Sequence, residues 1–264
     1  MAVTPGDPAV ARSGPVQSVD RAVSILELLA ELGEAGVTEL AAALDVHKST
    51  ASRLVAALEA HGLVEQVAER GRYRLGLAVV RLAGAVTTQL DVTRRSRPAA
   101  EGLARRSGET VNIAVADSGA VVNVDQVRGS ASVITHNWVG ERTPLHATSS
   151  GKVLMAFRPE VGAAVLAGPL PGFTGRTQVD GARLAEELAV VRDRGWAITS
   201  EELEIGLTAV AAPVRGPRGD VVAALSVSGP AYRLDGARVD ELVPEVVAAA
   251  AEASAALGWR SRTV

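Results

Sequence analysis

The stretch "VHKSTASRLVAALEAHGLVEQ" (46–66) holds the decisive pattern. Ala51, Leu54, Val55 and Leu58 recur at i, i+3, i+4 and i+7, the stripe of a helix packed on a core, and Gly62 stops it. Ser49, Ser52, Arg53 and Ala56 repeat that spacing on the other side. The spacing therefore predicts a helix opening near Lys48 whose outward face carries small hydroxyls and a guanidinium. From Val46 through Leu58 there is no acidic residue, whereas an ordinary solvated face mixes signs, as Glu27, Glu31 and Glu34 do upstream. Short side chains allow close approach to a surface. Ser, Lys and Arg donate to phosphates and base edges, and one Arg can pair two acceptors of a guanine.

Two helices precede this one. The first has Ser18 as a cap, Asp20 in its first turn and Ala22, Ile25, Leu26 and Leu29 on one face, and Gly33 and Gly36 end it. Thr38 then caps a short helix with Val37, Leu40, Ala41 and Leu44 inward, and "DVH" (45–47) makes a turn. After Gly62, "LVEQVAERGRYRLG" (63–76) alternates around Glu69-Arg70-Gly71, which predicts a β-hairpin with Arg70 and Arg72 at its tip. Three helices and a basic hairpin make a winged helix-turn-helix whose third helix enters a major groove. The candidate DNA contacts are Thr38, His47, Lys48, Ser49, Thr50, Ser52, Arg53, Arg70 and Arg72. The rival reading is a three-helix protein-interaction module.

Bulk composition narrows the classes. At 264 residues and 47% hydrophobic, the chain has material for two cores. Without cysteine there are no disulfides or thiolate metal sites, which fits a reducing cytoplasm. His47, His61, His136 and His146 form no HxxxH pair, so no metal and no cofactor is expected, and no apolar run is long enough to span a bilayer. Pro5, Gly6, Pro8, Gly14 and Pro15 mark a disordered arm rather than a signal peptide. The net charge of −3 does not announce a nucleic-acid binder, so any affinity for DNA must come from local placement.

Residues 77–110 read as helical apart from a break at Pro98, with five arginines and one Glu between Val92 and Arg106. These arginines suit either DNA phosphates or plain solvation. From Thr110 strands are expected at "VNIAVAD", "AVVNVDQV", "SVITH", "WAITS", "AVAAPV" and "VVAALSVS", with "RGPRGD" (215–220) as a hairpin turn. Helices at 149–157, about 160–167, 182–194 and 235–257 complete a mostly antiparallel sheet flanked by helices. "ATSSGK" places Ser149, Ser150 and the Gly151 backbone at a helix start, where amides and the dipole favour an anion. Ser226 and Ser228 share one side of a strand, and buried hydroxyls need partners. His146 is expected to be a buried structural imidazole.

The motifs "QSVDRAVSILELL" (17–29), the stretch 37–66, "GRYRLGLAVVRLA" (71–83), "LHATSSGKVLMAF" (145–157), "EIGLTAVAAPV" (204–214) and "VVAALSVSGPAYRL" (221–234) resemble the IclR family of bacterial transcriptional regulators. The resemblance covers roughly 17–258 in the family's order. It implies an α+β chain with a disordered arm (1–16), a winged helix-turn-helix (17–76), a helical linker (77–108), a GAF-like α/β effector domain (109–258) and a tail (259–264). It further implies a dimer or dimer of dimers that controls a metabolic operon, as a repressor in the commoner case, through a small-molecule effector. Carried over to this chain, the pocket comprises Ser132, Thr135, Ser149, Ser150, Thr199, Leu207, Ala209, Ser226 and Ser228. Ala209 stands where many relatives have cysteine and Thr199 where some have an acid, which implies a bulkier or more apolar effector, an organic or aromatic carboxylate.

Two other readings remain. Ser149-Ser150-Gly151-Lys152 matches the S-x-x-K of serine acyl-transferases, although S-D-N and K-T-G are absent. The same stretch ends in G-K like a P-loop, but His146 and Val153 break that pattern. A sensory adaptor without DNA is the remaining alternative.

Overall fold

The computed structural model describes residues 16–67, 71–82, 91–131 and 137–260, so the N-terminal arm and most of the tail lie outside the described residues. The chain divides into two compact units between residues 86 and 87.

The first unit opens with α1 (Gln17–Leu32), which buries Ile25 and Leu29. Its cap is Val16, whose carbonyl accepts from the Val19 and Asp20 amides; Ser18, the expected cap, sits inside the first turn. The strand β1 (Ala35–Gly36) was not expected, because two residues are too few to show alternation. α2 (Val37–Ala43) starts one residue before Thr38: the Gly36 N–H donates to Glu39 Oε2 at 2.7 Å, so a side chain from within the helix does the capping. α3 (Lys48–Ala60) begins where the sequence placed it, and Gly62 follows it at φ +68°, a left-handed conformation that glycine adopts without a Cβ penalty. β2 (Val64–Val67) and β3 (Arg72–Leu75) form the expected antiparallel hairpin, and β1 pairs with β3 to give the sheet order β1-β3-β2. The tip at 68–70, with Arg70, lies outside the described residues. Residues 77–82 are helical.

The second unit is built on a six-stranded antiparallel sheet in the order β6-β5-β4-β9-β8-β7. Its strands are β4 (Thr110–Asp117), β5 (Ala120–Val127), β6 (Arg142–Pro144), β7 (Ala197–Ser200), β8 (Leu207–Arg215) and β9 (Val221–Pro230). Against one face lie α4 (Asp91–Ser107) and α8 (Gly236–Ala256), around Leu103, Val111, Ile113, Val210, Leu225, Val227 and Leu242. Against the other lie α5 (Ser149–Phe157), α6 (Pro159–Leu166) and α7 (Gly181–Arg194), around Ala114, Leu154, Leu184 and Ala211. The 215–220 turn closes as expected, with Gly216 N–H on the Asp220 carbonyl at 2.8 Å. β6 was not foreseen, and the expected strand at 132–136 lies outside the described residues.

The linker reading needs two corrections. α4 runs through Pro98 without breaking. A proline costs a helix one backbone hydrogen bond, and here Ala99, Ala100, Leu103 and Ala104 bury the following turns firmly enough to offset that. For the same reason 91–107 packs in the second unit's core rather than serving only as a helical linker. Arg97 is held by Glu101 and, at 2.7 Å, by Asp125, and Arg106 approaches Glu245 at 3.5 Å.

Candidate functional site

In the first unit α3 turns Ala51, Val55 and Leu58 to the core and exposes Lys48, Ser49, Ser52, Arg53 and Ala56, while Thr50 is half-buried. His47, also exposed, is the N-cap: its Nδ1 lies 2.9 Å from Ser49 Oγ and accepts from the Ser49 N–H. Thr38 is exposed on the first turn of α2. Lys48 and Arg53 form no ion pair among the described residues, so both remain able to donate outward.

Arg72 behaves differently from the expectation that placed it at the wing tip. Its Nε lies 3.0 Å from Glu34 Oε1, its Nη1 3.1 Å from Glu39 Oε2, and its Nη2 donates to the Glu34 carbonyl at 2.8 Å. The guanidinium thus fastens β3 to the α1–α2 junction. The Glu39 carboxyl is held below its ordinary range, first by the Gly36 N–H and then by Arg72.

The second unit contains a pocket lined by residues of all six strands and the start of α5. Strand alternation explains its lining. In β9, Leu225 and Val227 face α4 and α8, so Ser226 and Ser228 face the other way. The register sets Ser226 beside Asn112 and Ala211, Ser228 beside Ala209, and Ala209 beside Thr199, so all share that face. Seven expected residues therefore converge on one cavity: Ser149, Ser150, Thr199, Leu207, Ala209, Ser226 and Ser228. Ser132 and Thr135 lie outside the described residues.

Gly151 is corrected. Its N–H donates to Thr148 Oγ1, which caps α5, and so is not free for an anion. A Cβ at Gly151 would stand 2.1 Å from the Leu145 carbonyl oxygen, so the glycine is there for close packing. Asn112, Asn123, Trp138, Thr143, Thr148 and Leu203 also line the cavity but were missed. The two asparagines left a signal, an amide amid the apolar runs "TVNIAV" and "VVNVDQ", but only strand register shows that both face the cavity. Among the described lining residues none is charged. Asn112, 5% exposed, donates from Nδ2 to Ser228 Oγ at 3.3 Å, while its Oδ1 has no partner among the described residues. An unpaired buried amide oxygen costs about 1–3 kcal/mol.

Lys152, on the first turn of α5 after Ser149 and Ser150, is 0% exposed. Its ammonium donates to both carboxylate oxygens of Glu187, on α7, at 2.8 and 2.9 Å, and to both of Glu202 at 2.6 and 2.8 Å. Burial pushes the Glu202 carboxyl up, more than the Lys152 hydrogen bonds and charge pull it down. An acyl-transferase of the S-x-x-K type needs this lysine's nitrogen turned to the serine as a base, whereas here it is taken up by four carboxylate oxygens. His146 is buried, with Nε2 2.9 Å from the Pro171 carbonyl, the structural imidazole expected from the sequence.

Two family models match the chain, one in each of its two units. The model of the IclR helix-turn-helix domain matches residues 18–68, and that of the bacterial transcriptional regulator IclR C-terminal domain matches 84–255. The glycerol operon regulatory protein of Streptomyces griseus is 38% identical over 250 residues, 92% of this chain and 97% of its own. The transcriptional repressor IclR of Escherichia coli K12 is 33% identical over 259 residues, 95% of this chain and 94% of its own. Among solved structures, an IclR homologue from Microbacterium hydrocarbonoxydans complexed with 4-hydroxybenzoate superposes with a TM-score of 0.80 at 28% identity, covering 92% of this chain and 98% of that one.

Proposed function

The chain belongs to the IclR family of bacterial transcriptional regulators, and on that premise we propose that α3 reads a pseudo-palindromic operator while a small organic or aromatic carboxylate in the second unit's pocket changes that affinity. As a family member it is a DNA-binding regulator with an effector-binding C-terminal domain. The observation that carries the operator reading is the outward face of α3, where Ser49, Ser52 and Arg53 stand exposed without an acid among them. Lys48, His47, Thr50 and Thr38 flank that face at the approach to the phosphates. Arg72 serves by positioning the wing, and Arg70, in the turn that the sequence predicts, is the wing's contact with DNA.

A two-fold operator needs two copies with matching half-site spacing. Support for self-association comes from apolar side chains left exposed on the first unit, Val19 and Val23 on α1 and Leu77, Val80 and Leu82 beyond the wing. The state is a dimer or a dimer of dimers. Repression is the mode, following the Escherichia coli relative. The effector is proposed to be a carboxylate because the pocket offers hydroxyls and the start of α5 but no acid to repel it; the 4-hydroxybenzoate complex of a relative supports that class. The protein is proposed to act by binding, since the engagement of Lys152 by two carboxylates speaks against the S-x-x-K acyl-transferase reading. It works in the cytoplasm, where its operator is; no helix among the described residues is long and apolar enough to cross a membrane.

The test is fluorescence anisotropy of the full-length protein on its own upstream region against random duplex, across a salt series. Preference for the upstream region, with a log–log salt slope of several units, is expected, as is a shift in affinity when small carboxylates are added. Equal binding to random duplex with and without the acids defeats the operator reading, and a flat salt response would favour an adaptor without DNA.

A further inference from the structure

We propose that Glu201 is a positioning residue, the latch of a strap (residues 201–206) that closes one wall of the second unit's cavity and swings out to admit a ligand. The proposal rests on the pocket reading above and adds the way in. The strap joins β7 to β8. Leu203 lines the cavity, whereas Glu204, Ile205 and Gly206 are exposed, Ile205 by 79%. The segment therefore has the cavity on one side and solvent on the other.

The two ends of the strap are held differently. Glu201 and Glu202 form a fixed foot. The Glu201 carbonyl accepts from Thr174 Oγ1 and the Glu202 carbonyl from Thr177 Oγ1, both at 2.6 Å, while Lys152 grips the Glu202 carboxylate. The far end is held at Gly206, whose N–H donates to Glu201 Oε1 at 2.8 Å and whose carbonyl accepts from the Ala231 N–H at 2.7 Å. Gly206 stands at φ +84°, where a glycine turns without a Cβ penalty. Glu201 stands at φ +59°, a left-handed conformation that costs a residue with a Cβ about 1–2 kcal/mol and that glycine would adopt freely. Glycine, however, has no side chain to span the strap. Held in that conformation, the Glu201 carboxylate meets Gly206 with one oxygen and Arg176 Nη1, at 2.8 Å, with the other. Strain of this kind persists where the surroundings enforce it, and here it serves the contact that closes the strap. Once the Gly206 N–H turns from the carboxylate to water, 203–206 can swing on a glycine while the foot stays clamped.

The chain has no cysteine, so one introduced thiol reads access to the cavity. Ser226, 4% exposed, lines the cavity, and Ser254, 1% exposed, sits on α8 against the opposite face of the sheet. The experiment is N-ethylmaleimide labelling of the full-length protein carrying Ser226→Cys or Ser254→Cys, followed by mass spectrometry. Adding Glu201→Ala should speed labelling of the Ser226→Cys thiol about five-fold or more, the worth of one hydrogen bond in the population of the open strap. Glu201→Gln still accepts from Gly206 and should stay within about two-fold of the parent rate. The Ser254→Cys thiol should label at the same rate with either residue at 201, because only the strap opens. Thr174→Val, which releases the Glu201 carbonyl, serves if Glu201→Ala does not fold, and should speed labelling in the same sense. A Ser226→Cys rate indifferent to these changes overturns the latch, as does a glutamine variant as fast as the alanine one. An equal rise at Ser254→Cys would mean that Glu201 supports the whole unit, and overturns it too. Titration with 4-hydroxybenzoate and other small acids separates the two levels. Labelling gated by Glu201 in a protein that binds none of them upholds the strap and defeats only the effector reading of the cavity. Binding of an acid with labelling blind to Glu201 defeats only the strap.

Discussion

Two helices of this chain open on nearly the same vocabulary. "HKSTASR" (47–53) begins α3 and "TSSGK" (148–152) begins α5, each with a capping side chain, adjacent hydroxyls, a lysine and no acid in the first turn. Their fates are opposite. α3 leaves Lys48, Ser49, Ser52 and Arg53 exposed, whereas α5 buries every residue from Ser149 to Ala156 and closes Lys152 between two carboxylates. What separates them is the rest of each helix. α3 is apolar along one stripe and has a side to turn outward. α5 continues "VLMAF", apolar all round, and has none. The same donors therefore look for partners outside the molecule in one case and inside it in the other.

The sharpest way to break that contrast is to remove the inward cation. Lys152→Met would leave the half-buried Glu187 and Glu202 facing a thioether, a cost of about 2–4 kcal/mol and a fall in melting temperature of about 5 °C or more. Differential scanning calorimetry reads it, and a variant melting within a degree or two of the parent would mean that the ion cluster is incidental. The outward cation should behave conversely. Arg53→Ala removes no ion pair or side-chain hydrogen bond among the described residues, so stability should hold within about 0.5 kcal/mol. Preference for operator over random duplex should nevertheless fall by about 1–3 kcal/mol, the worth of one well-placed base contact. Competition binding checks it, and unchanged preference would take α3 out of the groove.

The contrast also explains what was legible in the sequence. Periodicity carries burial along one element, so α3 and its two faces could be read from 46–66 alone. Strand alternation carried Ser226 and Ser228 to one side of β9 for the same reason. Asn112, Thr143 and Trp138 join the pocket only through strand order and register, relations between segments far apart in the chain, and no local period records those. Pro98 misled because the proline rule is local, whereas the burial of Leu103 and Ala104 that outweighs it is not. Arg72 misled likewise: its charge suits DNA, but its partners Glu34 and Glu39 come from another element brought close by the short pairing of β1 with β3. Lys152 read as a fragment of a catalytic motif until Glu187 and Glu202 came into view from 35 and 50 residues away.

The smallest expected effect tests how the inward cluster is balanced. Lys152 carries one positive charge against two carboxylates, so one carboxylate is surplus, and burial raises the Glu202 pKa above its ordinary value. For an acid raised in this way, both folded and unfolded chains hold the proton at pH below the ordinary carboxylate range, and ionisation then costs the fold nothing. As pH climbs, the unfolded chain releases its proton first, so the fold loses stability through the window from the ordinary value up to the raised one. Glu202→Gln keeps the shape and still accepts from Lys152 but does not titrate there. Denaturant melts of parent and variant at pH 4, 5.5 and 7 should therefore show the variant gaining on the parent as pH rises, with a difference at pH 7 of about 1 kcal/mol or less. A variant that instead loses ground toward pH 7 would show that the field of Lys152 outweighs desolvation at Glu202. The cluster would then need both carboxylates ionised, and α5 would be held by charge as strongly as α3 is left free to offer it.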